Sequence, residues 1–226
     1  MVGATGQAQD TPDRALVREA FGCDGALAET IFRAGRLCSF ARGQQAWPLS
    51  EPDVTLLLLG GKVQEIAYGR DGDTLVLCLI LPGELFGNLL GDGLEETTLI
   101  EATEASRGAQ FAADALVRLM ESYSCVAMAV TRQMARRLQL VRRRMVESVL
   151  LSASGRICAE LIRLAERAPD RVIRPIPVLS ELAVQVQTTR ETASRTISQL
   201  EKRGILRRDP DGLAVVAPHR LAEMVY

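Results

Sequence analysis

The chain has 226 residues, 47% of them hydrophobic and 24% charged, with a formal net charge of −1. That composition fits one or two ordinary globular domains and excludes collagen-like, low-complexity and highly charged disordered chains. No apolar run is long enough to span a bilayer. The N-terminal stretch lacks the hydrophobic core of a secretory signal, so a cytoplasmic protein with no membrane association is expected.

Residues 1–20 read as a flexible leader, with a helical pattern over 13–20, and 24–35 reads as a second short helix. A strand-rich region follows. Residues 54–59 end at Gly60-Gly61, 63–68 end at Gly69, and 74–81 end at Pro82-Gly83. Short apolar runs bounded by Gly, Pro and Asp read as strands joined by turns. Their spacing of roughly ten residues suggests a small barrel or jelly roll, placed over residues 21–113.

Residues 114–151 contain neither Gly nor Pro and read as one long helix. Apolar residues recur at Leu116, Met120, Tyr123, Ala127, Val130, Met134, Leu138, Val141, Met145 and Val149 in steps of three or four. Such a stripe suits the seam of a two-stranded coiled coil. A helix packed along its own barrel is the alternative. The dimer is preferred because the stripe outlasts what a small barrel could cover, with Tyr123, Ala127, Val130, Met134, Leu138, Val141 and Met145 as the expected contacts. Two successive steps of four, Val130–Met134–Leu138, break the strict heptad as a stutter would.

Residues 152–226 read as a winged helix-turn-helix. Ser154-Gly155 offers a hinge, and 156–168 is amphipathic. Leu182 to Val186 and the stretch from Arg190 to Leu200 form two short helices joined by a tight polar turn. Arg190, Glu191, Ser194 and Arg195 share an arc of about 140° on the second helix, with Ala193, Ile197 and Leu200 on another. A guanidinium pairs in two-pronged fashion with guanine, and a carboxylate accepts from cytosine N4. The major groove of double-stranded DNA is therefore the expected ligand, with Thr189 beside these residues. Residues 205–208 and 213–216 flank Asp209-Pro210-Asp211-Gly212 as a hairpin, whose Arg207 and Arg208 would meet phosphates.

Charge is segregated along the chain. Residues 1–131 carry 9 basic and 18 acidic side chains, residues 132–149 carry 6 and 1, and residues 150–226 carry 12 and 9. Only the basic C-terminal part suits a polyanion.

The order of elements, with Arg132-Gln133-Met134-Ala135-Arg136-Arg137-Leu138, Ser154-Gly155-Arg156-Ile157 and Arg190-Glu191-Thr192-Ala193-Ser194-Arg195, resembles the Crp/Fnr family of bacterial transcription regulators. Pro82-Gly83-Glu84-Leu85-Phe86-Gly87 is similar to the loop that closes the family's β-roll. The resemblance implies an α+β fold: an N-terminal β-roll of the cyclic-nucleotide-binding kind, a long dimerisation helix, and a C-terminal winged helix-turn-helix. It also implies a non-enzymatic homodimer that reads an inverted repeat with a TGA-like core and works with RNA polymerase.

The departures bear on the effector. Where nucleotide-binding members carry Gly-Glu-Leu and then Arg-Ser or Arg-Thr, this chain has Gly87-Asn88-Leu89 and Glu96-Thr97, with Val141 or Arg142 at the adenine-facing helix position. A carboxylate replaces the arginine that would meet a cyclic phosphate, so cyclic AMP is not expected to be the effector. The family's iron–sulfur cysteines and axial haem histidine have no counterpart, and the sole histidine, His219, lies beyond the wing. No cyclic AMP, iron–sulfur or haem site is supported, any other cofactor is left open, and no metal is implied. In the turn, Gln187 stands where many relatives have Gly.

Two other function classes compete with a DNA-binding regulator. One is a small-molecule- or redox-sensing module acting through protein partners. The other is a cupin-like enzyme, disfavoured because residues 1–131 contain no histidine to hold a metal. The five cysteines, Cys23, Cys38, Cys78, Cys125 and Cys158, form no C-x-x-C pair and read as inert buried thiols rather than redox sensors.

Overall fold

The computed structural model describes residues 11–46, 53–68, 74–88 and 98–225. In chain order the elements are α1 (Pro12–Phe21), α2 (Gly25–Ala34), β1 (Arg36–Phe40), β2 (Val54–Gly60), β3 (Val63–Tyr68), β4 (Thr74–Ile80), β5 (Leu85–Gly87), β6 (Thr98–Ala102), β7 (Ser106–Ala112), α3 (Ala113–Ser122), α4 (Ser124–Leu150), α5 (Ala153–Glu166), β8 (Val172–Ile173), α6 (Leu179–Gln185), α7 (Arg190–Lys202), β9 (Leu206–Arg208), β10 (Leu213–Val215) and α8 (Pro218–Glu223). They fall into two units, residues 1–137 and 138–226. The fold is α+β, with a β-domain, a long helix and a C-terminal winged helix-turn-helix.

The first unit is built around β2. Two antiparallel sheets, in strand orders β1-β7-β2-β5 and β4-β3-β6, form the β-domain. Alternate side chains of a strand point to opposite faces. Leu56 and Leu58 of β2 therefore join Val63, Ile80, Phe86 and Ile100 in one core cluster. Leu57 and Leu59 join Phe111, Ile31, Leu116 and Val126 in another, with the helices. Burial on both faces explains why β2 is a continuous apolar run rather than an alternating one.

The expected single helix over 114–151 is two helices. Tyr123 sits between α3 and α4 in an extended conformation (φ −133°, ψ 107°). Its N–H donates to the Leu119 carbonyl, and its own carbonyl accepts from Val126 and Ala127. Ser122 and Ser124 flank the break, and serine favours helix ends over interiors. The break lets Leu116 and Leu119 of α3, and Val126 and Val130 of α4, all reach the same core.

That core takes up the first part of the apolar stripe. Val130, expected at a dimer seam, is only 6% exposed within its own chain. Ala129 and Met134 pack on the same cluster, and Ala127 is half-buried. Beyond Met134 the stripe is bare: Leu138 is 64% exposed, Val141 56%, Met145 71% and Val149 77%. Tyr123 is also exposed.

In the second unit, α5, α6 and α7 pack with β8, β9, β10 and α8 around Ile157, Leu161, Leu182, Ile197, Leu200, Ile205 and Leu221. The expected hinge at Ser154-Gly155 is instead the first turn of α5, which Ser152 caps by accepting from the Gly155 N–H at 3.0 Å. Gly155 is there for space, because a Cβ would lie 2.5 Å from the Val225 carbonyl oxygen.

Candidate nucleic-acid interface

The second helix of the helix-turn-helix is α7. Thr189 caps it, its hydroxyl accepting from the Thr192 N–H at 3.2 Å. Ala193, Thr196, Ile197 and Leu200 are buried, and Arg190, Glu191 and Arg195 are exposed on the opposite arc with Ser194 half-buried. Among the described residues, none of the Arg190, Glu191 and Arg195 side chains has a hydrogen bond or ion pair within the chain. Their charged heads are therefore available to an incoming ligand. Exposed Ser198 and Lys202, which sequence reading missed, fall on the same arc, at i+4 from Ser194 and Ser198.

The turn before α7 is held by a guanidinium. The α6 helix ends at Gln185, and Gln187 takes a left-handed conformation (φ 55°). That region is costly for a residue with a Cβ. Arg156 of α5 reaches across the turn. Its Nε donates to the Val186 carbonyl and its Nη2 to the Gln187 carbonyl, both at 2.8 Å, while Nη1 donates to the Leu151 carbonyl at 3.1 Å. Sequence reading missed this role of Arg156.

A second polar network ties α6 to the end of α4. Glu160 is buried, its carboxylate accepting from Gln185 at 3.0 Å and pairing with Arg163 at 2.6 Å. Arg163 also forks onto both oxygens of Glu147, at 2.6 and 3.2 Å. The carboxylates of Glu147 and Glu160 hold the Arg163 guanidinium in its charged form, against the burial that opposes it. The buried charge of Glu160 is thus paired and hydrogen-bonded, as it must be.

The wing is the hairpin of β9 and β10, with β8 completing a three-stranded sheet. Its Arg207 and Arg208 are exposed, as expected of phosphate contacts, but neither is unpartnered. Arg207 lies 3.0 Å from Asp209, and Arg208 lies 3.1 Å from Glu201 on α7.

The effector residues expected in the β-domain are only partly described. Leu89, Glu96 and Thr97 lie outside the described residues. Gly87 ends β5 with φ 89°. Asn88 is 5% exposed. Its carbonyl accepts from the Thr55 hydroxyl at 2.6 Å, its N–H donates to Val54, and its side-chain amide donates to Asp53 at 3.4 Å. Val141 and Arg142 lie exposed on α4. Two side chains of α4 hold the first residue of β5: Gln133 accepts from the Leu85 N–H at 2.9 Å, and Arg137 donates to the Leu85 carbonyl.

The cysteines lie apart from these contacts. Burial pushes the Cys158 thiol up to about 11 and raises Cys23 and Cys38 as well. Such thiols stay protonated near neutral pH and react slowly. Among the described residues no cluster of His, Cys, Asp or Glu could hold a metal ion, and no helix is long and apolar enough to cross a membrane.

Residues 155–224 match the Crp-like helix-turn-helix domain family. Over 191 residues the chain is 25% identical to a CRP-like cAMP-activated global transcriptional regulator of Mycobacterium tuberculosis, covering 81% of this chain and 85% of that one. Among solved structures it is similar to FixK2 from Bradyrhizobium japonicum, with a TM-score of 0.68, 20% identity, and coverage of 85% of this chain and 98% of that one. It is also similar to the c-di-GMP responsive global regulator CLP of Xanthomonas campestris, with a TM-score of 0.67, 21% identity, and coverage of 85% and 99%.

Proposed function

We propose that the chain is a DNA-binding transcription regulator of the Crp/Fnr family, as its matched domain and relatives support, and that it acts as a homodimer on an inverted repeat with a TGA-like core. The observation that carries the reading is the outward arc of α7. Arg190, Glu191 and Arg195 are exposed and unpartnered within the chain, on a helix whose other face is locked into a core. A major groove admits such a helix and offers its arginines guanine O6 and N7.

The dimer is supported by the bare stripe from Leu138 to Val149. Four large apolar side chains more than half exposed in a row are uncommon on a monomer and suit a partner helix. Two copies would present their α7 helices about one turn of DNA apart, roughly 34 Å, to a two-fold symmetric site. RNA polymerase is the partner through which such a dimer would change transcription.

Cyclic AMP is not the effector in this reading. Asn88 stands where nucleotide-binding relatives have a glutamate, and its polar atoms are spent on Thr55, Val54 and Asp53. The matched proteins are themselves named for different small molecules, cAMP in one and c-di-GMP in another. The shared fold therefore does not specify the ligand.

Competition binding with a TGA-containing inverted repeat and a mixed-sequence duplex tests the recognition assignment. Arg195→Ala should weaken the repeat by about 1–3 kcal/mol and leave mixed-sequence binding nearly unchanged. Equal binding of the repeat by the variant and the unaltered protein would remove α7 as the reading element.

A further inference from the structure

Basic side chains of the winged helix-turn-helix differ in their partners. Arg190 and Arg195, on the reading arc of α7, are unpartnered within the chain. Three arginines on and beside the wing are instead held by carboxylates. Arg207 Nε lies 3.0 Å from Asp209 Oδ1, and Arg208 Nε lies 3.1 Å from Glu201 Oε1. Arg174, next to β8, is shared between Asp170 at 2.7 Å and Asp211 at 3.2 Å. The hairpin from 205 to 216 contains two arginines and two aspartates and carries no net charge.

The pairs are asymmetric in a way that matters. The Arg207 and Arg208 side chains are 67% and 56% exposed, while Asp209 and Glu201 are 27% and 29% exposed. The carboxylates are the better-anchored partners. Asp209 sits at the turn, where its N–H donates to the Gly212 carbonyl at 2.9 Å. Glu201 lies in the last turn of α7. Each guanidinium remains open to solvent on its other edge.

We propose that Glu201 and Asp209 are specificity-determining residues that hold Arg208 and Arg207 in intramolecular pairs a DNA phosphate must displace. This rests on the reading of the chain as a DNA-binding regulator. Sequence-independent affinity comes from phosphates neutralised by cations and from the counterions released in that step. An arginine already facing a carboxylate gains less from a phosphate, because one anion replaces another. Exposed pairs of this kind are weak enough to be opened, so the wing still contacts DNA once the base contacts of α7 hold it there. The carboxylates thus lower binding everywhere and lower it least at the preferred site.

Glu201→Gln and Asp209→Asn keep shape and remove charge. Binding is measured over a salt series to two probes: a mixed-sequence duplex, and the duplex that the unaltered protein enriches from a randomised library. Each variant should bind the mixed-sequence duplex about 3- to 10-fold more tightly near 0.1 M salt, with a log–log salt slope steeper by about one. The enriched duplex should gain less, so the ratio between the two falls. In an Arg208→Ala background, Glu201→Gln should add nothing, and Asp209→Asn should add nothing to Arg207→Ala. Unchanged mixed-sequence binding, or a gain that survives loss of the paired arginine, overturns the proposal. If the unaltered protein enriches no duplex, the regulator reading fails as well. If it does and the variants behave like it, this proposal alone fails.

Discussion

The guanidinium of Arg156 donates to the carbonyl of Gln187 at 2.8 Å, and Gln187 is the residue of the helix-turn-helix turn that sits at φ 55°. One charged side chain on α5 therefore fixes the turn whose strain it faces. The start of α7, and with it the direction of Arg190, depends on that turn.

Two substitutions at this contact should act in opposite directions. Arg156→Lys keeps the charge but cannot reach three carbonyls in one plane, and should lower stability by about 1–3 kcal/mol. Gln187→Gly relieves the left-handed strain and should raise stability by about 1 kcal/mol. Urea unfolding of both variants checks this. A destabilised Gln187→Gly would mean that its side chain, rather than its backbone, matters.

The two halves of the α4 stripe should respond differently to charge. Leu138→Asp combined with Met145→Asp places carboxylates on the bare face, and should yield a folded monomer with unchanged helix content. Val130→Asp buries a charge in the β-domain core and should unfold that unit instead. Sedimentation and circular dichroism distinguish the outcomes. A double variant that still sediments as a dimer would show that the dimer forms elsewhere.

Cyclic AMP should neither bind tightly nor alter DNA affinity. Calorimetry with cyclic AMP and cyclic GMP, followed by DNA titration in their presence, measures both. Losing the charge-assisted phosphate pair costs at least about 1–3 kcal/mol, which moves a micromolar site toward millimolar. A micromolar dissociation constant together with tighter DNA binding would defeat this reading of Asn88 and of the sequence change at Glu96-Thr97.

The winged helix unit should lose stability in alkali through Cys158. The folded thiol titrates at about 11, above its ordinary value of 9.0, because burial disfavours the thiolate. The unfolded chain therefore releases this proton first. The contribution is fully present below about pH 9 and is lost as pH rises through 11. Cys158→Ala should flatten stability against pH in that window, read by urea titration at each pH. A slope identical to that of the unaltered protein would point to other groups.

Much of this was legible in the sequence, and particular residues show why. The α7 helix has the strongest period, and its buried Ala193, Ile197 and Leu200 could be read directly. The strands β2, β3 and β4 announced themselves through apolar runs closed by glycine or proline. Short strands such as β5, only three residues, have too little sequence to show a pattern, and are made by pairing with β2. The break at Tyr123 carries neither Gly nor Pro, and the flanking Ser122 and Ser124 are a weak signal that does not mark a break by itself. The stripe on α4 was visible, but not its change of role. Two successive steps of four from Val130 to Leu138 turn an α-helical stripe by about 80°. The stutter thus marks where apolar side chains leave their own core and face outward. The partners of Arg156, Arg207 and Arg208 depended on packing between elements, which spacing does not encode.

The position of β2 also has a consequence for synthesis. Its partners in the sheet are β7 and β5, and both follow it in the chain, with β7 ending at Ala112. At a translation rate of about 5–20 residues per second, β2 emerges roughly 3–12 s before its last neighbour. Until β5 emerges, six consecutive uncharged residues, Val54 to Leu59, have no ladder to join, and until β7 emerges only Thr55 to Leu57 have one. The segment that organises the finished β-domain is thus also where a growing chain is most open to pairing with another copy, and where chaperone cover has most to protect.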